Sequence, residues 1–132
     1  METNDYFCAD EWKDFLKPPM FKVVFTEDVI SFLQTLDEKA RRKIMFNINK
    51  SKYVLDDSLF KKLSGSDFWE FRTKHAKQSY RILAFWDKEE SALVVTTHVF
   101  IKRTQKLPGK EIVRANAIRE RYYSKKEQQQ YE

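Results

Sequence analysis

The chain has 132 residues, enough for one hydrophobic core, and its 42% hydrophobic and 15% aromatic content can fill that core despite 34% charged residues. Two glycines, three prolines and one cysteine (Cys8) exclude a low-complexity chain, an internal disulfide and a cysteine-based zinc cluster. With a net charge of +5, no apolar run near the roughly 20 residues of a membrane span and no basic-then-apolar leader, the expectation is a cytoplasmic protein with no membrane partner.

Residues 1–19 read as an N-terminal extension: "ADEWKDFL" is long enough for one or two helical turns, and Pro18-Pro19 stops any helix and imposes an extended exit. A domain over residues 20–126 follows. "MFKVVFT" is a strand candidate, Thr26 a candidate N-cap, and Glu27 and Asp28 suit a first helical turn. Val29, Phe32, Leu33 and Leu36 form the apolar stripe of a first helix. Asp37 caps a second, with Ala40, Ile44 and Ile48 inward, and so short a link predicts an antiparallel helical hairpin. "DDSLFKKL" is expected to add a short helical turn before the turn residues Ser64 to Asp67.

Three strands are predicted next, Phe68–Lys74, Ser79–Trp86 and Ala92–Ile101, joined by the short polar links "HAKQ" and "DKEES" as antiparallel hairpins. Pro108 opens a closing helix expected to run to about Ser124, and residues 127–132 read as a polar, frayed tail. Strand, two helices, three strands and a helix make a compact α+β domain. Alternation puts Phe68, Glu70, Arg72 and Lys74 on one side, opposite Trp69, Phe71 and Thr73. It sets Arg81 beside Leu83 and Phe85, where a guanidinium needs an acidic partner, Glu70 or Asp87, or an open groove.

The charge is uneven. Residues 1–20 carry five acids and two bases, whereas Lys102 to Lys126 hold nine bases against two acids. A basic block of this kind favours a polyanion such as RNA; a solvated basic helix is the plainer reading. There is no phosphate-cradling glycine loop, no HExxH and no GxSxG, and only His75 and His98 offer imidazoles, so no histidine-rich metal site and no cofactor are expected. RNA cleavage fits that inventory, because RNA brings its own nucleophile, the 2′-hydroxyl. The protein then has to position it, move protons and place cations around the phosphate. Glu70, Arg72, Arg81, His98, Lys102 and Arg103 are candidates to meet at the strand ends. Trp69, Phe85, Trp86 and Phe100 read as core, with base stacking as the alternative.

The succession "KKLSG", "FWEFR", "SYRILAFW" and "THVFIKRTQKLPGKEI", in order within about Met20 to Tyr123, resembles HigB-like toxins of the RelE superfamily, particularly their phage-derived branch. The resemblance implies a RelE-like α+β fold: a small antiparallel sheet, an N-terminal helical hairpin and a C-terminal helix. It also implies the toxin of a type II toxin–antitoxin system, a ribosome-dependent mRNA endonuclease that inhibits translation without a metal. Its partners would be mRNA on the ribosome and a cognate antitoxin with a helix-turn-helix DNA-binding domain.

By motif, Arg81 matches a catalytic-site arginine of the superfamily, and Glu70 and Arg72 fall on the "WE-apolar-R" strand. Lys62 belongs to the basic turn, and His98, Lys102, Arg103 and Lys106 to the closing signature. The expected catalytic set is Arg81, Arg72, His98, Lys102 and Arg103, with Glu70 an acid/base or structural partner and Lys62, Lys106 and Lys110 holding RNA. Val99 departs from the glycine that many relatives carry after the histidine. Two other readings stand beside this one: a non-catalytic RNA- or ribosome-binding protein, and a degenerate toxin kept as an autoregulatory partner of its antitoxin.

Overall fold

The structure is a computed structural model that describes residues 17–130, so the expected extension lies outside the described residues except for Lys17 to Pro19, as do the last two residues of the expected tail. Its elements in order are β1 (Lys22–Val24), α1 (Glu27–Thr35), α2 (Glu38–Ser51), β2 (Phe60–Lys62), β3 (Trp69–His75), β4 (Gln78–Trp86), β5 (Leu93–Ile101) and α3 (Gly109–Gln130). The fold is α+β, with one five-stranded sheet in the order β1-β5-β4-β3-β2.

The local signals act as the sequence predicts at both helix starts. Thr26 Oγ1 accepts from Val29 N–H and Asp37 Oδ1 from Ala40 N–H, caps worth about 1 kcal/mol each. Val29, Leu33, Ala40, Ile44 and Ile48 are buried, and burying a large aliphatic side chain stabilises the fold by about 1.5–3 kcal/mol. The helices rest on different strands, α1 on β5 and α2 on β3.

Two expectations change. The sheet is mixed, not purely antiparallel: β1 lies parallel to β5, with Val23 opposite Val94 and Val24 opposite Val95. β5 is buried along its length, so its outer ladder needs a partner, and β1 supplies one. Strand direction leaves no mark on an apolar pattern. Second, the segment read as a helical turn makes a tight turn and then becomes β2, antiparallel to β3. Phe60 stacks on Phe71 with ring centroids 4.2 Å apart, a tertiary contact that outweighs local helical preference.

The sheet separates two cores. One side packs α1 and α2 against Phe21, Phe60, Phe71, Tyr80 and Ile82; the other packs α3 against Phe68, Leu83, Phe85, Val95 and Phe100. Between Ile82 and Ala84 the register with β5 shifts, so that Leu83 faces two residues, Thr97 and His98. Such a bulge re-aims a side chain. Here Thr97 Oγ1 donates to Leu83 O, and His98 turns toward α3, its Nε2 3.2 Å from Glu111 Oε1.

The last helix runs six residues past the expected Ser124. Buried Asp87 explains why: its Oδ2 accepts from Tyr122 Oη (2.6 Å) and Lys126 Nζ (2.7 Å), while its Oδ1 accepts from the backbone N–H groups of Glu89 and Glu90. That network ties the C-terminal half of α3 to the β4–β5 turn.

Candidate functional site

The register of the sheet assembles the site. On the α3 side, Lys61 lies opposite Glu70, Arg72 opposite Arg81, and Arg81 opposite Phe100. One row further, Lys74 lies opposite Ser79, and Lys102 N–H donates to Ser79 O at 2.8 Å. Cations from β2, β3, β4 and the end of β5 therefore share one end of one sheet face, beyond the part that α3 covers.

Like charges directly opposite each other in a sheet repel. Arg72 and Arg81 are reconciled by Glu70, which is fully buried. Glu70 Oε1 takes both, Arg72 Nε at 3.0 Å and Arg81 Nη1 at 3.4 Å. Glu70 Oε2 and Arg81 Nε are buried with no hydrogen-bond partner among the described residues. Burial pushes the Arg81 pKa below its ordinary value, Glu70 opposes that shift, and Arg72 adds to it.

Arg72 and Arg81 open into a cleft of about 530 Å³ that wraps the free edge of β3 beyond the end of β2. Its other wall is α2, with Lys43, Asn47 and Lys50, and Asp56 is the acid of the lining. Asn47 Nδ2 donates to Thr73 Oγ1 at 3.1 Å and fixes the helix to the strand. A neighbouring hollow, lined by Lys61, Lys62, Gly65 and Arg72, carries the basic lining along β2. Gly65 makes that turn with φ +73°, a conformation costly for other residues.

The expected residues divide. Arg72, Arg81 and Glu70 form one cluster, with Lys102 one strand from Arg81 in the next row; Arg103 and Lys106 are exposed on the segment leading into α3, and Lys110 is exposed in its first turn. Lys62 stands opposite Trp69, so register brings Lys61 beside Glu70 instead. His98 does not join the cleft. It is fully buried, with Nδ1 3.1 Å from Thr97 Oγ1 and Nε2 on Glu111, which excludes direct contact with a substrate in this conformation. Burial holds its pKa below the usual imidazole range, against the Glu111 hydrogen bond, which favours the neutral form at pH 7.

Lys43, Asn47, Lys61 and Lys74 were not singled out by the sequence. Lys43 and Asn47 lie on a helix whose apolar stripe gives no sign of a nearby strand edge. Lys74 was legible only as an alternation partner of Glu70 and Arg72, and Lys61 lay in the segment read as a helical turn. Among the described residues, no three His, Cys, Asp or Glu side chains converge as metal ligands. No described helix is long and apolar enough to cross a membrane.

Residues 31–120 match the family model for phage derived protein Gp49-like (DUF891), and the chain belongs to that family. The match spans α1 to the middle of α3 and contains the whole arginine–glutamate cluster. The family is toxin-like and fits a toxin–antitoxin setting, with a cognate antitoxin as the partner it suggests. No curated protein matches the chain.

Proposed function

We propose that the protein is the toxin of a type II toxin–antitoxin pair and cleaves mRNA on the ribosome. The observation that carries this reading is the Arg72–Arg81 pair, set side by side at the floor of a basic cleft by a buried carboxylate. In the reaction, the RNA 2′-oxygen attacks the adjacent phosphorus, the 5′-oxygen of the next nucleotide leaves, and the product ends in a 2′,3′-cyclic phosphate. Negative charge grows on the phosphoryl oxygens as the new bond forms. Arg81 and Arg72 are placed to stabilise it, and fixed cations in a partly dehydrated site need little reorganisation to do so. Lys74, Lys102 and Arg103 hold neighbouring phosphates. Lys106 and Lys110 supply longer-range attraction, and Glu70 is the positioning residue that keeps two arginines in contact.

The proposal includes independence from a divalent metal, supported by the scarcity of clustered carboxylate and imidazole donors. Restoration of chelated enzyme by one divalent ion, with ribosomes intact throughout, would overturn that part. The antitoxin is proposed to carry a helix-turn-helix domain, on the motif resemblance alone.

A second reading, a non-catalytic RNA- or ribosome-binding protein, is favoured by the burial of His98, which leaves the cleft without an imidazole. One experiment separates the two. After brief induction, mRNA 5′ ends are mapped for the wild type and for Arg81→Ala. New 5′-hydroxyl ends inside translated codons, nearly absent in the variant, support the enzyme. Ribosome association without new ends supports the binder, and unchanged protein synthesis despite abundant folded protein sinks both.

A further inference from the structure

A second groove lies at the other end of the strands, and the proposed cleavage chemistry does not use it. It measures about 570 Å³ and is lined by Lys62, Trp69, Trp86, Lys88 and Tyr123, together with Arg119, Asp67 and Glu120. We propose that this groove is a second RNA subsite: one unpaired nucleobase stacks on Trp86, and its flanking phosphates rest on Lys62 and Lys88. The inference builds on the RNA reading above and adds a place on the molecule that reads the base rather than the scissile phosphate.

Three observations carry it. Trp86 is 38% exposed, yet its ring is held edge-on by Phe21 (centroids 5.4 Å apart) and Trp69 (5.8 Å). An aromatic platform already fixed by its neighbours loses little side-chain freedom when a base lands on it. The charges are suitably divided. Arg119 is occupied structurally, paired with Asp67 at 2.8 Å and lying over the Phe68 ring at 4.4 Å. Lys62 and Lys88 are exposed and make no ion pair among the described residues, and Lys88 Nζ is held 4.4 Å from the Tyr123 ring centroid at the groove wall. Over the whole lining, three cations outnumber two acids.

The third observation is the path. Trp86 lies five residues beyond Arg81 on β4, about 17 Å along the strand. The odd spacing puts it on the other face of the sheet, so the path runs round the free edge of β2, a reach of a few nucleotides. Lys61 and Lys62 continue the basic lining from Arg72 toward this groove. A single strand leaving the arginine cleft along β2 meets Trp86 next. The apolar tryptophan face accepts any base, so the site adds affinity and fixes the strand's course without strict sequence choice.

The test uses a fluorescein-labelled heptauridylate and the same heptamer without bases, each titrated with the full chain by anisotropy at several salt concentrations. The wild type should favour the base-bearing probe, and Trp86→Leu should lose roughly 10-fold of that preference, the order of one base–aromatic stack. Lys62→Ala with Lys88→Ala, at exposed positions and with folding checked by circular dichroism, should weaken both probes and reduce the salt slope by about 1.4 in log units. If folded Trp86→Leu keeps the full preference, or if the lysine pair changes neither affinity nor slope while Arg72→Ala with Arg81→Ala abolishes binding, the groove proposal is wrong and the RNA reading stands. A wild type that binds neither probe at low salt overturns the groove proposal, and the RNA reading is then decided by the mapping of mRNA 5′ ends.

Discussion

Asp87, at the β4–β5 turn, and Glu70, on β3, are both buried carboxylates, and their surroundings differ in kind. Burial works to raise the Asp87 pKa, but Lys126, Tyr122 and the N–H groups of Glu90 and Glu89 outweigh it and hold the carboxyl well below the usual range. Tyr122 is pushed up to about 12, first by burial and then by Asp87, so it stays a donor. Glu70, in contrast, takes two arginines on one oxygen, and among the described residues its other oxygen and Arg81 Nε have no partner. A bare buried polar atom costs on the order of 1–3 kcal/mol. The satisfied cluster is what a structural latch requires. The unsatisfied one holds two like charges side by side at the cleft, the arrangement that the proposed phosphate site uses.

Truncating the latch should give the largest effect. Asp87→Ala strands Lys126 and Tyr122 and should cost about 3 kcal/mol of folding stability, read from denaturant unfolding, with an unchanged single-turnover cleavage rate per folded molecule. The sign with pH follows: a depressed carboxylate contributes fully above its unfolded pKa of about 3.9 and loses that contribution as pH falls below it. Asp87→Ala should therefore flatten the acid limb of the wild-type stability curve. A variant that folds normally but cleaves slowly would remove the distinction between the clusters.

Arg81→Ala should show the reverse pattern. The saturated cleavage step should fall roughly 10²-fold or more, the scale of losing one preorganised charge donor, while stability should fall less than in Asp87→Ala because Arg72 still holds Glu70. Single-turnover cleavage at saturating ribosomes, paired with a binding titration, reads both quantities. If the variant loses binding and keeps the wild-type saturated rate, Arg81 is an anchor for RNA rather than a catalytic group.

His98 tests whether its cluster belongs with the latch or with the cleft. Its pKa is depressed by burial, opposed by Glu111 and Asp28 and reinforced by Arg114. The unfolded state takes up a proton below about pH 6.5 and the folded state resists it. The stability held by neutral His98 is thus complete above pH 6.5 and declines as pH drops from there. Wild-type Tm should fall between pH 7.5 and 5.5, and the fall should shrink in His98→Gln. An equal fall in both proteins would assign the effect to other groups.

The smallest effect belongs to the β3–β4 turn, where Ala76 (φ +49°) and Lys77 (φ +65°) both occupy the left-handed region. Two-residue hairpins of this type favour Asn-Gly. Ala76→Asn with Lys77→Gly should raise stability by about 1 kcal/mol and leave cleavage unchanged, since neither residue lines the cleft.

Much of the fold was legible in the sequence because its signals are short-range. Thr26 and Asp37 mark helix starts through their own side chains, and alternation put Glu70 and Arg72 on one side of their strand and Arg81 beside Leu83 and Phe85 on the next before any partner strand was known. The motif resemblance pointed to the arginines for the same reason: they sit in contiguous strings. Pairing, direction and register were decided only by the tertiary structure. A strand's pattern does not encode which way its neighbour runs, so the parallel β1 was not foreseen, and Phe60 joined the sheet because Phe71 was there to stack on. The β5 bulge turned His98 inward to Glu111, and register chose Lys61 over Lys62 for Glu70. The cleft itself comes from β2 ending early beside α2, which brings Lys43 and Asn47 to Arg72 and Arg81 across a separation that no local interaction along the chain specifies.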